Sequence, residues 1–223
     1  MHRIVLLRIL LAVLLVAAAS GGRAQQVTMK AGAMLGKVDS REISGDIRRM
    51  LNIYWETNYS LRIAPYRYVT FGLAYLGAGG KFGETDDFDQ YNIFSYDVTA
   101  RFNNVLLPIK FKVSTEHRRK PRVYGYVGTA PGVMFYEARD IEFKGDHQPD
   151  QRQKKAIFGW SPRHFQNYIM VGGGAYYRHI ILEIGAYVST FKNYKEFKAP
   201  IVFNSGIMLN VGYQVSNDET KRW

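Results

Sequence analysis

The sequence predicts an all-β fold: a closed, eight-stranded, antiparallel up-and-down β-barrel that spans a membrane, preceded by a signal peptide. Three observations predict it. Apolar and polar residues alternate with period two over long stretches, which is the pattern of strands with one greasy face. The connections between these stretches alternate short and long, as in outer-membrane barrels. The chain also opens on an export signal, and no later segment approaches the ~20 uncharged residues of a membrane helix.

The export signal comes first. Arg3 and Arg8 flank the start of an unbroken apolar run from Ile9 to Ala19, followed by Ser20, Gly21, Gly22 and Ala24. These read as the charged, apolar and cleavage regions of a secretory signal peptide, with the cut expected after Ala24. The expected organisation is 1–24 signal peptide, 25–215 barrel and 216–223 a short C-terminal tail. The chain holds no cysteine, which excludes a lipid-anchored precursor, disulfides and thiolate metal sites. The formal charge is +11, and removing the three arginines of 1–24 leaves +8. A basic exported protein meets outer-membrane lipid and lipopolysaccharide rather than nucleic acid. The 16 tyrosines suit surfaces that are wet on one side and apolar on the other.

The strands follow in order. The first sets Val27, Met29, Ala31, Ala33 and Leu35 against Thr28, Lys30, Gly32, Met34 and Gly36. The second is clearest: Leu51, Ile53, Trp55, Thr57, Tyr59, Leu61 and Ile63 against Asn52, Tyr54, Glu56, Asn58, Ser60 and Arg62. The third carries Val69, Phe71, Leu73 and Tyr75, and the fourth Val105, Leu107, Ile109, Phe111 and Val113. The fifth (Arg122 to Tyr136) and sixth (Phe165 to Arg178) are rich in glycine and tyrosine, and their alternation assigns no facing. The seventh sets Ile180, Leu182, Ile184, Ala186 and Val188 against Ile181, Glu183, Gly185, Tyr187 and Ser189. The eighth runs from Ile201 to Val215.

Short connections are expected at Ala64 to Arg67, Glu116 to Pro121 and Arg178–His179, and long ones at Lys37 to Arg49, Gly79 to Asp89, Ala138 to Arg163 and Lys192 to Ala199. A soluble barrel with its apolar series inside fits the same alternation. Strand length argues against it, as do Tyr59, Tyr177 and Tyr213, apolar-face aromatics at the short-turn end like a girdle.

An eight-stranded barrel is just wide enough for side chains to fill. Lys30, Glu56, Arg62, Lys110, Lys112 and Glu183, with Asn52, Asn58 and Asn210, are therefore expected to form a polar plug, the other reading being a narrow pore. Strands one and two are neighbours, so Lys30 and Glu56 are expected to meet. The loops offer an acidic cluster, Glu84, Asp86, Asp87 and Asp89, without the spacing of a calcium motif. Asp146, His147 and Asp150, with the scattered His117, His164 and His179, assemble no catalytic set. Gly172 to Gly174 lacks the helix of a nucleotide site and reads as a bend or close packing. Arg118, Arg119, Lys120 and Arg122 fall in a turn on the periplasmic side. No enzyme activity, cofactor or metal is expected.

Asn204, Gly206, Leu209, Val211 and Tyr213 resemble the β-signal read by the barrel assembly machinery, although Ser216 to Trp223 extend beyond it. Val105-Leu106-Leu107-Pro108-Ile109-Lys110-Phe111-Lys112, a turn, and Tyr124-Gly125-Tyr126-Val127-Gly128 resemble the PorT-like outer-membrane β-barrel family of Bacteroidota. Pro108, Lys112, Tyr124 and Gly128 take that family's places. Gly172 to Gly174, Leu182-Glu183 and Tyr187 match its later strands. Leu106 stands where the family often has an acid, and Ala186 where an arginine is usual. The resemblance implies a non-enzymatic porin-like barrel in the cell outer membrane after Sec export. It further implies a structural or accessory role in envelope protein export, type IX secretion included, beside other secretion-system proteins. A passive small porin or a ligand-binding barrel is the alternative.

Overall fold

Strands with one apolar face cannot leave a sheet edge open in lipid, and closure into a ring removes the edge. The computed structural model describes residues 25–40, 47–84, 95–115, 121–144, 159, 161–193 and 202–215. Its strands are β1 (Gln25–Ser40), β2 (Ile47–Ala64), β3 (Arg67–Glu84), β4 (Ser95–Leu106), β5 (Ile109–Ser114), β6 (Arg122–Lys144), β7 (Phe165–Tyr177), β8 (Ile180–Ser189) and β9 (Val202–Gln214). Consecutive strands pair antiparallel, β4 with β5 excepted, and β9 returns to β1, from Thr28↔Gln214 to Ser40↔Val202. β4 and β5 both lie between β3 and β6. They are one stave, so the nine segments make a closed ring of eight.

Pro108 explains that break. Proline gives the ladder no N–H. Gly72 N donates to Pro108 O (3.0 Å) and Leu107 N donates to Pro131 O (2.8 Å), so pairing continues across the gap. Two connections are tight. At Pro65–Tyr66 the proline fixes its own φ and Tyr66 takes φ 62°, and at Arg178–His179 the arginine takes φ 56°.

The predicted apolar series points outward. Leu51, Ile53, Ile184, Leu209 and Val211 are each more than half exposed. The expected inward series Lys30, Glu56, Asn58, Lys110, Lys112, Glu183 and Asn210 is buried. The two strands of unassigned facing turn Tyr124, Tyr126, Tyr168 and Tyr176 inward.

Five staves run further than expected. β1 continues to Ser40, β2 starts at Ile47, β3 continues to Glu84, and β6 continues to Lys144. The fourth stave starts at Ser95, ten residues before Val105. Two irregularities hid the extensions of β6 and β2. The register slips by one residue opposite Asn103/Asn104, where Phe135 is extra and both Phe135 and Tyr136 face out. A second slip lies between Arg49 and Tyr54 of β2. A one-residue slip flips every later side chain, so the alternation appears to stop there. In β4 the alternation is intact but its chemistry reverses: Tyr96, Val98, Ala100 and Phe102 are buried, while Asp97, Thr99 and Arg101 face out.

The interior is therefore layered, which corrects the expectation of a polar lining throughout. Towards the short turns it is polar. Towards the long connections it is an apolar core of Met34, Val38, Leu76, Phe82, Val98, Phe102, Leu106, Met134, Met170 and Met208. Gly79 sits at this end with φ 148°. A Cβ there would collide with the Ala100 carbonyl oxygen, and one on Gly80 would lie 2.7 Å from Val38 N. Glycine thus lets β3 come against β1 and narrow the barrel.

Candidate functional site

Five ionisable side chains from four staves, Lys30, Glu56, Lys110, Lys112 and Glu183, meet in the lower half of the barrel. Lys30 (β1) and Glu56 (β2) are register partners, and their charged atoms lie 2.8 Å apart. Lys30 Nζ also donates to both carboxylate oxygens of Glu183 (β8), at 2.9 and 2.8 Å. β9 stands between them, and Gly212 lets the lysine through: a Cβ there would lie 2.5 Å from Lys30 Cγ. Lys110 (β5) donates to Glu56 Oε1 at 2.5 Å, crossing β3 to do so. Its own partner in β6 is Gly128, where a Cβ would lie 2.9 Å from Lys110 Cγ.

Tyrosines complete the cluster. Tyr124 and Tyr126 (β6) donate to Glu183 at 2.5 and 3.3 Å, and Asn210 Nδ2 donates to it at 3.2 Å. Tyr124 is registered opposite Gly174 and Tyr126 opposite Gly172. A Cβ on Gly172 would lie 2.6 Å from the Tyr126 hydroxyl, and one on Gly174 2.7 Å from the Tyr124 hydroxyl. The expected reading of Gly172 to Gly174 as close packing thus acquires its partners: the glycines are the floor on which two rings lie. Buried carboxylates with several charge-assisted partners are held far more tightly than exposed ones.

Lys112 (β5) sits nearer the turns and is differently held. Its ammonium donates to Tyr176 OH (3.2 Å), Ser60 Oγ (3.4 Å) and Gln26 Oε1 (3.5 Å). The rings of Tyr68, Tyr176 and Tyr124 surround it at 4.9, 5.5 and 5.7 Å. Such cation–π contacts each contribute about 0.5–2 kcal/mol. Below it, Arg122 lies 4.5 Å over the Tyr176 ring and donates to Gln214 Oε1 at 3.4 Å.

Arg62 does not join the cluster: its Nε donates to the Ala64 carbonyl at 3.4 Å, at the turn-end mouth. Asn58 and Asn210 are buried within the polar half, and Asn52 Nδ2 donates to Met50 O nearer the apolar half. Of the motif positions, Lys112 and Tyr124 line the polar half, Gly128 backs Lys110, and Pro108 divides the stave. Leu209, Val211 and Tyr213 face outward on β9, and Gly206 faces inward beneath Tyr187, whose Cε1 a Cβ would approach to 2.7 Å.

His164 Nδ1 lies 3.3 Å from Met134 O, and His179 Nδ1 lies 3.1 Å from Gln214 O with its ring stacked on Tyr213. Neither meets a carboxylate and a nucleophile together. Glu84 ends β3, whereas Asp86, Asp87, Asp89, His117, Arg118, Arg119, Lys120, Asp146, His147 and Asp150 lie outside the described residues, as do 1–24 and 216–223. Sequence reasoning missed Tyr126, Tyr176 and Tyr68 as members of the polar half. For Tyr126 the signal was there: Tyr124 and Tyr126 alternate on one strand opposite Gly174 and Gly172 in the next.

No family model and no curated protein matches this sequence. Among solved structures, neisserial surface protein A is similar at 8% identity and TM-score 0.46, over 86% of this chain and 99% of that one. The outer membrane protein OprG of Pseudomonas aeruginosa is similar at 9% identity and TM-score 0.43, over 88% and 99%. Ail, the attachment invasion locus protein of Yersinia pestis, is similar at 9% identity and TM-score 0.41, over 86% and 99%.

Proposed function

We propose that the chain is a non-enzymatic outer-membrane β-barrel, closed to solutes, that serves as a structural or accessory component of the cell envelope. One observation carries the reading: across the band level with Leu51 to Ile63 the outward face of the ring is apolar, while Lys30, Lys110, Glu56 and Glu183 are buried and paired inside. Water outside would make that arrangement unfavourable, and lipid makes it favourable. The outward series of β2 runs from Leu51 to Ile63. At ~3.3 Å per residue and a tilt of roughly 40° it rises ~30 Å, about the thickness of a hydrocarbon core.

The outward charges of β4, Asp97 and Arg101, then stand above the lipid. There the ring buries its apolar residues inside, as a water-soluble barrel does. Tyr59, Tyr177 and Tyr213 mark the opposite, periplasmic interface. Lipopolysaccharide and lipid surround the barrel, and the assembly machinery inserts it through the Gly206, Leu209, Val211 and Tyr213 signal after Sec export and cleavage behind Ala24. A narrower role in envelope protein export, beside type IX secretion components, is supported by the PorT-like resemblance at Pro108, Lys112, Tyr124 and Gly128.

A passive porin is the weaker reading, because the apolar half of the lumen is packed with buried side chains such as Phe82, Phe102, Leu106 and Met134. The deciding experiment is membrane fractionation with gel mobility of boiled and unboiled protein, followed by planar-bilayer recording. The proposal expects outer-membrane recovery, faster migration when unboiled and no steady conductance. Recovery in the soluble periplasmic fraction would overturn the lipid-facing reading, and a steady conductance would overturn the closed lumen.

A further inference from the structure

Among the described residues, the buried charges of the polar half do not balance. Lys30, Lys110 and Lys112 face Glu56 and Glu183, which leaves one positive charge in excess. Geometry puts it on Lys112. Lys30 and Lys110 meet carboxylates at 2.5–2.9 Å, whereas the acceptors that Lys112 meets among the described residues are neutral, at 3.2–3.5 Å. Those contacts are at or beyond the long limit of a good N–H···O bond. Lys112 is nevertheless 6% exposed, so bulk water does not solvate it.

Beside this ammonium is a cavity of about 20 Å³ lined by Lys30, Lys110, Lys112, Ser60, Thr70 and Glu183 among others, the Glu183 carboxylate being held by Lys30, Tyr124, Tyr126 and Asn210. That volume accepts one or two water-sized occupants. Ser60 Oγ and Thr70 Oγ1 lie 3.0 Å apart, so one hydroxyl proton bridges the pair and the other is left to donate elsewhere. Asn58 is buried, lines the same space, and its Oδ1 has no hydrogen-bond partner. Turning that amide about its terminal bond presents N–H donors in its place.

We propose that this cavity is a binding site for one small monovalent anion, chloride in a saline medium, held by the Lys112 ammonium. The ion neutralises the excess charge. It accepts hydrogen bonds from Lys112, from the free hydroxyl proton of the Ser60–Thr70 pair and from the Asn58 amide. The rings around Lys112 present π faces that attract the cation but add no negative charge. Size sets the specificity: the space is of the order of one water-sized occupant, so it favours a monatomic anion and is too small for sulfate, phosphate or gluconate. Arg62 and Arg122 at the turn-end mouth favour anions on the way in. The inference does not depend on what surrounds the barrel.

The test is thermal unfolding of the purified full-length protein in zwitterionic detergent. Sodium chloride is titrated against sodium gluconate at fixed ionic strength, and then sodium bromide is used likewise. The wild type is expected to gain about 2–4 °C, saturably, in chloride or bromide, and Lys112→Met is expected to gain nothing. No halide-dependent gain in the wild type would overturn the proposal, and so would an equal gain in Lys112→Met. Should Lys112→Met not fold, anomalous diffraction from bromide-soaked wild-type crystals decides. A peak against Lys112 Nζ supports the site, and its absence rejects it.

Discussion

Glu56→Ala is the most informative single change in this barrel. Glu56 is fully buried and bridges Lys30 at 2.8 Å and Lys110 at 2.5 Å. After its removal Lys30 still holds Glu183, but Lys110 keeps no carboxylate among the described residues. Stranding one member of a buried ion pair costs about 3–5 kcal/mol. Each kcal/mol moves the unfolding midpoint of a domain this size by about 2–4 °C. The expected fall is on the order of 10 °C. The assay is the temperature at which unboiled protein loses its fast gel mobility.

A Glu56→Ala/Lys110→Met double variant removes the stranded cation together with its partner, and is expected to recover more than half of that fall. Conductance should stay at baseline in both variants. Loss of the Glu56 carboxylate leaves the Tyr124 and Tyr126 rings and the apolar half above them in place. An unchanged midpoint for Glu56→Ala, or a double variant no better than the single, would refute the charge-pairing argument. A wide, steady channel would refute the closed lumen.

Three further outcomes follow from the same structure. Ile184→Arg, on the outward apolar band, should cost about 2–4 kcal/mol and reduce assembly into membranes, while Thr99→Arg, on the outward face of β4, should fold and insert like wild type; quantitative fractionation compares them. Gly79→Ala combines a left-handed φ of 148° with a collision against the Ala100 carbonyl, and should cost at least about 1–3 kcal/mol, read from the mobility midpoint. Gly172→Val should push the Tyr126 ring off its floor and weaken its bond to Glu183. Tyr126→Phe alone should cost about 0.5–1.5 kcal/mol, so a Gly172→Val loss no larger than that would count against the close-packing argument.

The sequence by itself determined which residues share a face, how many staves there are and which connections are short. The reason is that period two is a property of the extended backbone, so it survives any tertiary context. It also put Lys30, Glu56, Lys110, Lys112 and Glu183 in inward series, while Tyr68, Tyr126 and Tyr176 beside them escaped it. It missed β4 above Val105, where apolar residues still alternate but point inward, and it lost β2 and β6 at their one-residue slips. Alternation tells the side of a strand, not the height at which lipid ends.

Only the tertiary structure decided who meets whom. Lys30 was expected to meet Glu56, and as register neighbours on adjacent strands the two do. Its second partner, Glu183, is 153 residues away, and the pair forms because Gly212 leaves β9 bare between them. The same holds for Lys110 reaching Glu56, and for Tyr124 and Tyr126 lying on Gly174 and Gly172. These contacts depend on register, curvature and the girth of a closed ring. Those are set by the hydrogen bonds of all eight staves together, and no single stretch of sequence encodes them.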